Sequence, residues 1–320
     1  MDRSERNGIR CALYPDWEKL NDSLFQKVRD VKPPDYYKIK PVSDTVFSVY
    51  KEQFAYDRTS LNSRVESRKD NPEGWIWETI TFNAAYGGER IIVHLFLPKN
   101  TMPPYQTVIY FPGGGSLYQD SSGNMENYYE FPMFLSFLVK NGRAVLYPVY
   151  KGTFERSDPV LFEIIDRVTD SRSYTELMIQ LVKDFKRCID YLETRQDIDT
   201  GRLAFYGMSW GATLGAIIPA VDKRLKASVL LGGGISGEGR SEVNQVNYVS
   251  RVKIPTLMLN GNYDMRLPLN TSAKPMFELL GTPAKHKQIK VYETDHFIPR
   301  NDYIKETVAW LDQYLGPVIK

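Results

Sequence analysis

A serine flanked on each side, two residues away, by glycine occupies the centre of Gly207-Met208-Ser209-Trp210-Gly211. The residues before it, Arg202-Leu203-Ala204-Phe205-Tyr206, read as an apolar strand, and those after it, Ala212 to Ala220, as an apolar helix. A turn that tight needs glycines on either side, so that backbone and side chain stay clear and the hydroxyl is exposed above the strand ends. The competing reading is a plain N-cap serine at a glycine-rich helix start.

A serine hydroxyl is a poor nucleophile at neutral pH, so a base must lie within hydrogen-bond reach and a third group must orient that base. The chain has three histidines. His94 sits in an alternating strand pattern, Ile91-Ile92-Val93-His94-Leu95, and His286 lies between lysines, so both read as structural or solvated. His296, in Thr294-Asp295-His296-Phe297, follows the last strand on a loop ahead of the terminal helix, and it is the expected base. Two aspartates compete to orient it. Neighbouring side chains on an extended loop point apart, which weighs against Asp295. Asp264, in Gly261-Asn262-Tyr263-Asp264, leaves a strand at its carboxyl end and is assigned instead. A developing oxyanion needs N–H donors, and Pro112-Gly113-Gly114-Gly115 at the end of another strand can turn its backbone toward one. The expected donors are the N–H groups of Gly114, Gly115 and Trp210.

Bringing these residues together takes a sheet. Trp75–Ala84 and Glu89–Pro98 are β-rich runs joined by a glycine-containing turn, Ala85-Tyr86-Gly87-Gly88. Six further apolar runs follow: 106–112, 143–149, 202–207, 226–232, 254–261 and 287–293. They alternate with helical patterns expected at about 125–141, 173–194, 209–220, 272–280 and 302–315. That alternation predicts an α/β class, a doubly wound, mostly parallel sheet with helices on both faces. In such sheets ligands bind beyond the carboxyl ends of the strands, where all four motifs fall. The clearest helix carries Leu177, Leu181, Phe185, Cys188 and Leu192 at spacings of three and four, behind Ser173-x-x-Glu176 as a capping box. Cys188 then reads as a small core residue.

The remaining chain sets the boundaries. Residues 1–70 read as an N-terminal extension or cap, with an amphipathic stretch from Trp17 to Val31, and residues 71–320 as the catalytic domain. Two segments, 151–172 and 232–253, break the alternation and are expected to line a pocket as insertions. The aromatic residues Tyr118, Tyr128, Tyr129, Phe131, Phe154 and Phe162 suggest a ring-lined mouth. A net charge of +2, from 41 basic and 39 acidic residues, excludes the concentrated positive field that nucleic acid requires. No run is apolar enough for a membrane span, and the polar start has no signal-peptide core. Cys11 and Cys188 offer neither a disulfide framework nor a zinc site, and read as free thiols compatible with a reducing, cytoplasmic compartment. No metal and no cofactor are implied, and the oligomeric state stays open.

The set PGGG, GMSWG, GNYD and TDH, in that order over residues 75–320, resembles the α/β-hydrolase superfamily, especially its dienelactone hydrolase and acetyl-xylan-esterase-like branch. The phrases FAYD, AAYGGERI and PPYQTVIYFPGGG are also similar to hydrolase modules carried behind bacterial serine/threonine kinase domains, and no kinase signature accompanies them here. The resemblance implies a serine esterase with Ser209 as nucleophile, Asp264 as acid and His296 as base, the order Ser, Asp, His of that fold. Two departures stand out. Pro112 takes the place of the histidine that opens the oxyanion loop of many esterases, and Ser209 replaces the cysteine of dienelactone hydrolases proper.

Gly232-x-Gly234-x-x-Gly237 matches a dinucleotide fingerprint literally, but no apolar helix start follows it. A peptidase related to prolyl oligopeptidases would share the chemistry, yet 70 extra residues are too few for a gating domain. A non-catalytic binding module on the same fold is the third alternative. Neither insertion resembles a greasy lid. The expected substrates are small to medium carboxylic esters, with short acyl groups preferred.

Overall fold

The computed structural model describes residues 34–158, 160, 161, 164 and 169–318. The stretch expected over 17–31, Cys11 and Phe162 lie outside the described residues.

Short apolar runs became strands because their side chains can be buried on both faces at once. The strands are β1 (Arg64–Asn71), β2 (Trp75–Asn83), β3 (Arg90–Pro98), β4 (Tyr105–Phe111), β5 (Ala144–Val149), β6 (Ile198–Met208), β7 (Leu225–Leu231), β8 (Thr256–Gly261) and β9 (Lys287–Tyr292). They form one sheet in the order β1-β2-β3-β5-β4-β6-β7-β8-β9. The first three run antiparallel, as does β3 against β5, and all later pairings are parallel. Alternate residues feed opposite cores: Ile109, Phe111, Leu203 and Phe205 enter one, and Val108, Tyr110, Ala204 and Tyr206 the other. A parallel sheet with both faces covered has this near-continuous apolar texture.

Helices α1 (Asp44–Glu52), α2 (Ser136–Asn141), α3 (Arg172–Leu192), α4 (Trp210–Leu214), α5 (Lys274–Leu279) and α6 (Arg300–Leu315) pack around the sheet. On one face α3 buries Leu177, Leu181, Phe185, Cys188 and Leu192, each large side chain contributing about 1.5–3 kcal/mol. On the other face α2 and α6 bury Phe137, Leu138, Tyr303, Trp310 and Leu311.

Several expectations need correcting. The cap of α3 is Ser171, whose side chain accepts the Tyr174 N–H at 3.0 Å, rather than Ser173. Glu176 is drawn away to Arg172, 2.7 Å distant, so no capping box forms. The helix expected at 125–141 is divided into a turn at Met125–Asn127, a wide turn at Phe131–Leu135 and α2. Pro132, near the start of the wide turn, lacks an N–H to continue a regular ladder. The helix expected at 209–220 likewise breaks after α4 and resumes at Ile218–Val221.

The boundary placed at residue 70 falls inside β1, and the compact unit that contains the sheet starts at Asp35. Arg64–Asn71 is a largely exposed edge strand of charged and polar residues, so it carries no apolar alternation by which to recognise it. Phe47 of α1 packs edge-on against Tyr248 with ring centroids 5.4 Å apart, which docks this region on the segment after β7.

Candidate active site

Sheet register decides which loops meet. Phe111, the last residue of β4, pairs with Gly207 of β6, and Met208 pairs with Leu231 of β7. Gly261 at the end of β8 pairs with Tyr292 at the end of β9. The order reverses at β4, which has β5 on one side and β6 on the other, so a crevice opens beyond these carboxyl ends.

The strand-to-helix turn after β6 is as tight as its sequence suggests. Ser209 has φ +52° and ψ −112°, a conformation that side-chain-bearing residues rarely adopt. A Cβ added to Gly207 would come within 2.6 Å of the Gly211 backbone, and one added to Gly211 within 2.1 Å of the Phe111 carbonyl oxygen. Both glycines are therefore sterically required. The Ser209 N–H donates to the Leu231 carbonyl at 2.8 Å, fixing the turn to β7. Ser209 is the N-cap residue of α4, but its side chain makes no capping bond, which removes the plain N-cap reading.

Its hydroxyl points instead at His296: Ser209 Oγ lies 2.7 Å from Nε2, and His296 Nδ1 lies 2.7 Å from Asp264 Oδ2. An ionised carboxylate can only accept, so Nδ1 carries the proton and Nε2 is left to accept from the serine. The other Asp264 oxygen accepts the N–H groups of Arg266 at 2.8 Å and Leu267 at 3.1 Å. Burial pushes this carboxyl up, but the hydrogen bonds from His296, Leu267 and Arg266 outweigh it and hold the group below its ordinary range. Asp295 turns away, accepting the Phe297 N–H at 3.0 Å.

The other two histidines are elsewhere. His94 is buried between Trp77, whose Nε1–H donates to its Nδ1 at 3.0 Å, and Ser122, 2.8 Å from its Nε2. Burial holds its imidazole down to about 4. His286 contacts the Tyr314 hydroxyl at 3.1 Å.

Gly114, Gly115, Trp210, Ser209 and His296 all line one open cleft of about 780 Å³. Trp210 opens α4 and Gly114 opens a 3₁₀ turn, so neither N–H has an acceptor within its own helix. Of the expected aromatic mouth, Tyr118 and Tyr129 line the cleft, joined by Phe297. Phe131 and Phe154 are core residues, buried with the apolar side chains of the α2 and α6 face.

The two insertions differ. Ser236 and Glu238 from 232–253 reach the cleft, whereas the described residues of 151–172 do not line it. Instead the loop after β5 is tied to α3: Arg156 pairs with Asp184, and the Asp184 carboxylate accepts the Lys151 N–H at 3.0 Å. The glycines at 232, 234 and 237 run through a loop, and no helix opens on them.

Glu130 was missed. It is fully buried beneath the loop after β4, and its carboxylate accepts the Gly113 N–H at 2.9 Å. The only signal in the sequence is an acid in an otherwise aromatic run, Tyr128-Tyr129-Glu130-Phe131.

Residues 170–317 match the model of a family described as PET hydrolase-like. The Bacillus subtilis (strain 168) protein YtaP, which carries a hydrolase name, is 25% identical over 169 residues, covering 52% of this chain and 54% of that protein. The match thus spans about half the length of that curated relative. The acetyl xylan esterase from Paenibacillus sp. R4 superposes with a TM-score of 0.62 at 20% identity, over 87% of this chain and 98% of its own. Acetyl xylan esterase 1 from Thermoanaerobacterium sp. JW/SL YS485 gives 0.66 at 17% identity, over 86% and 96%. With its nine-stranded, mostly parallel sheet and these structural relatives, the chain has the α/β-hydrolase fold.

Proposed function

We propose that this chain is a serine hydrolase of carboxylic esters, working through an acyl-enzyme on Ser209. The observation that carries the reading is the continuous chain of two 2.7 Å contacts from Ser209 through His296 to Asp264, opening on a cleft. His296 Nε2 takes the hydroxyl proton as Oγ attacks the ester carbonyl carbon. Charge builds on the carbonyl oxygen, and the N–H of Trp210 with that of Gly114 or Gly115 stabilises it. The tetrahedral adduct collapses by breaking the C–O bond to the alcohol, which leaves with the proton from His296. Water then attacks the acyl-enzyme, giving its proton to His296, and the carboxylic acid is released as Oγ regains a proton.

The hydrolase and esterase names among the relatives support an ester as substrate, and acetylated sugars are a natural first test beside nitrophenyl esters. Small to medium esters with short acyl groups fit a cleft that has, among the described residues, no lid of apolar helix in its lining. The test is labelling with a fluorophosphonate, followed by mass spectrometry and by nitrophenyl acetate hydrolysis. The adduct is expected on the peptide that contains Ser209. No adduct together with no ester hydrolysis would overturn the reading in favour of a binding module.

A further inference from the structure

Glu130 is a carboxylate with no side-chain exposure, and among the described residues no lysine, arginine or histidine pairs with it. Burying such a group is costly unless hydrogen bonds compensate. Its donors are the Gly113 N–H at 2.9 Å and the Tyr129 hydroxyl at 3.3 Å on one oxygen, and the Tyr147 hydroxyl at 2.8 Å on the other. The first of these belongs to the loop that faces the cleft.

The loop's peptide planes are held one by one. The Gly113 N–H goes to Glu130, and the carbonyl of the same Pro112–Gly113 peptide accepts the Gly211 N–H at 3.0 Å. The next peptide has its carbonyl, on Gly113, accepting both the Ser116 N–H at 3.2 Å and the Ser116 hydroxyl at 2.8 Å. A trans peptide aims its N–H opposite its carbonyl. The Gly114 N–H is therefore fixed in direction by contacts made behind the loop. Three consecutive glycines would otherwise sample many conformations, and proline at 112 supplies no side-chain hydrogen bond to restrain them.

We infer that Glu130 is a positioning residue that clamps the Gly113 peptide and thereby presents the Gly114 N–H, rather than that of Gly115, to the oxyanion. The assignment rests on the serine hydrolase reading above. Burial pushes the Glu130 carboxyl up to about 7, with its hydrogen-bond donors Tyr147, Gly113 and Tyr129 acting in the opposite direction. Either protonation state can keep the clamp, since a carboxylic acid still offers a carbonyl oxygen to Gly113.

The experiment compares Glu130→Leu, an apolar side chain of similar volume without an acceptor, with Glu130→Gln, which keeps one. Both are assayed with nitrophenyl acetate and with a boronic acid that forms a tetrahedral adduct on serine. Glu130→Leu should lower kcat by roughly 10- to 100-fold, less than the 10²–10³ of deleting an oxyanion donor outright, with KM within about 3-fold. Boronic acid affinity should fall in parallel, and Glu130→Gln should return kcat to within about 3-fold of the wild type. Should Glu130→Leu fail to fold, Tyr147→Phe, which frees one oxygen of the carboxylate, takes its place with an expected loss in kcat of about 3- to 10-fold. Unchanged kcat in the variant that folds, equal losses in leucine and glutamine variants, or a loss confined to KM would each overturn the assignment. A wild type without Ser209-dependent hydrolysis would instead overturn the underlying function and leaves a distinct signature, because Ser209→Ala would then match the wild type.

Discussion

Asp264, thirty-two positions before His296 in the chain, contacts its Nδ1 at 2.7 Å, while the adjacent Asp295 caps the Phe297 N–H and faces away. Contact and sequence proximity are thus decoupled, and the two aspartates make a controlled comparison. Asp264→Asn should lower kcat by roughly 10³ to 10⁴, because a neutral amide can donate to Nδ1 and favour the wrong tautomer. Asp295→Asn should stay within about 3-fold. Steady-state kinetics on both variants checks this, and the reverse ranking would transfer the acid's role to Asp295.

Strain at Ser209 gives a second expectation, read from stability as well as rate. Its φ of +52° and ψ of −112° suit glycine far better than serine. Ser209→Ala keeps a Cβ and should remove roughly 10⁴ or more of kcat with little change in Tm. Ser209→Gly should be equally inactive yet melt higher than the alanine variant. Relief of about 1–3 kcal/mol of strain, offset by the larger unfolded-state entropy of glycine, leaves about 1 kcal/mol. That corresponds to about 1–2 °C in Tm for a chain of this size. A lower Tm for Ser209→Gly would contradict the strain.

The buried Glu130 carboxyl has a pH signature of its own. Burial pushes it from 4.5 up to about 7, so the folded chain holds its proton where the unfolded chain has released it. The resulting stabilisation is fully present below about pH 4.5 and is lost as pH rises through about 7. Glu130→Gln cannot titrate. Relative to that variant, the wild type should lose up to about 3 kcal/mol between pH 5 and pH 8, measured as the difference in urea unfolding free energies. A constant difference across that range would mean that Glu130 does not titrate there.

Legibility followed how local the cause was. Ser209 could be recognised because its turn demands Gly207 and Gly211 within five residues, and strand and helix patterns flank them directly. Asp264 and His296 were legible as chain ends of strands, since a parallel sheet delivers those ends to one rim. Glu130 was not, because its meaning lies in a contact with Gly113 that only tertiary packing creates. At the start of α3 the capping-box spacing of Ser173 and Glu176 misleads, because Glu176 pairs with Arg172 and Ser171 caps the helix instead. For β1 the difficulty was exposure, because a polar edge strand has no buried face to write into the sequence. The described residues of 151–172 stay away from the cleft because of Arg156 and Asp184, whose buried pairing holds that loop against α3.

Substrate length tests the proposed chemistry at its far end. Leu267 and Phe297 stand with Tyr118 and Tyr129 around an open cleft of about 780 Å³, a space suited to a small ester and its immediate surroundings. Apolar walls of this kind distinguish neighbouring acyl chains by about 1–3 kcal/mol per methylene at most, so selectivity should fall gradually along a series rather than at one step. kcat/KM for nitrophenyl esters should peak between acetyl and butyryl and be low by dodecanoyl. A dipeptidyl anilide should be cut more slowly than any of the short esters, because amide cleavage requires protonating a much poorer leaving group within the same site. A maximum at long chains would point to a lipase, and faster anilide cleavage would move the chain to the peptidases.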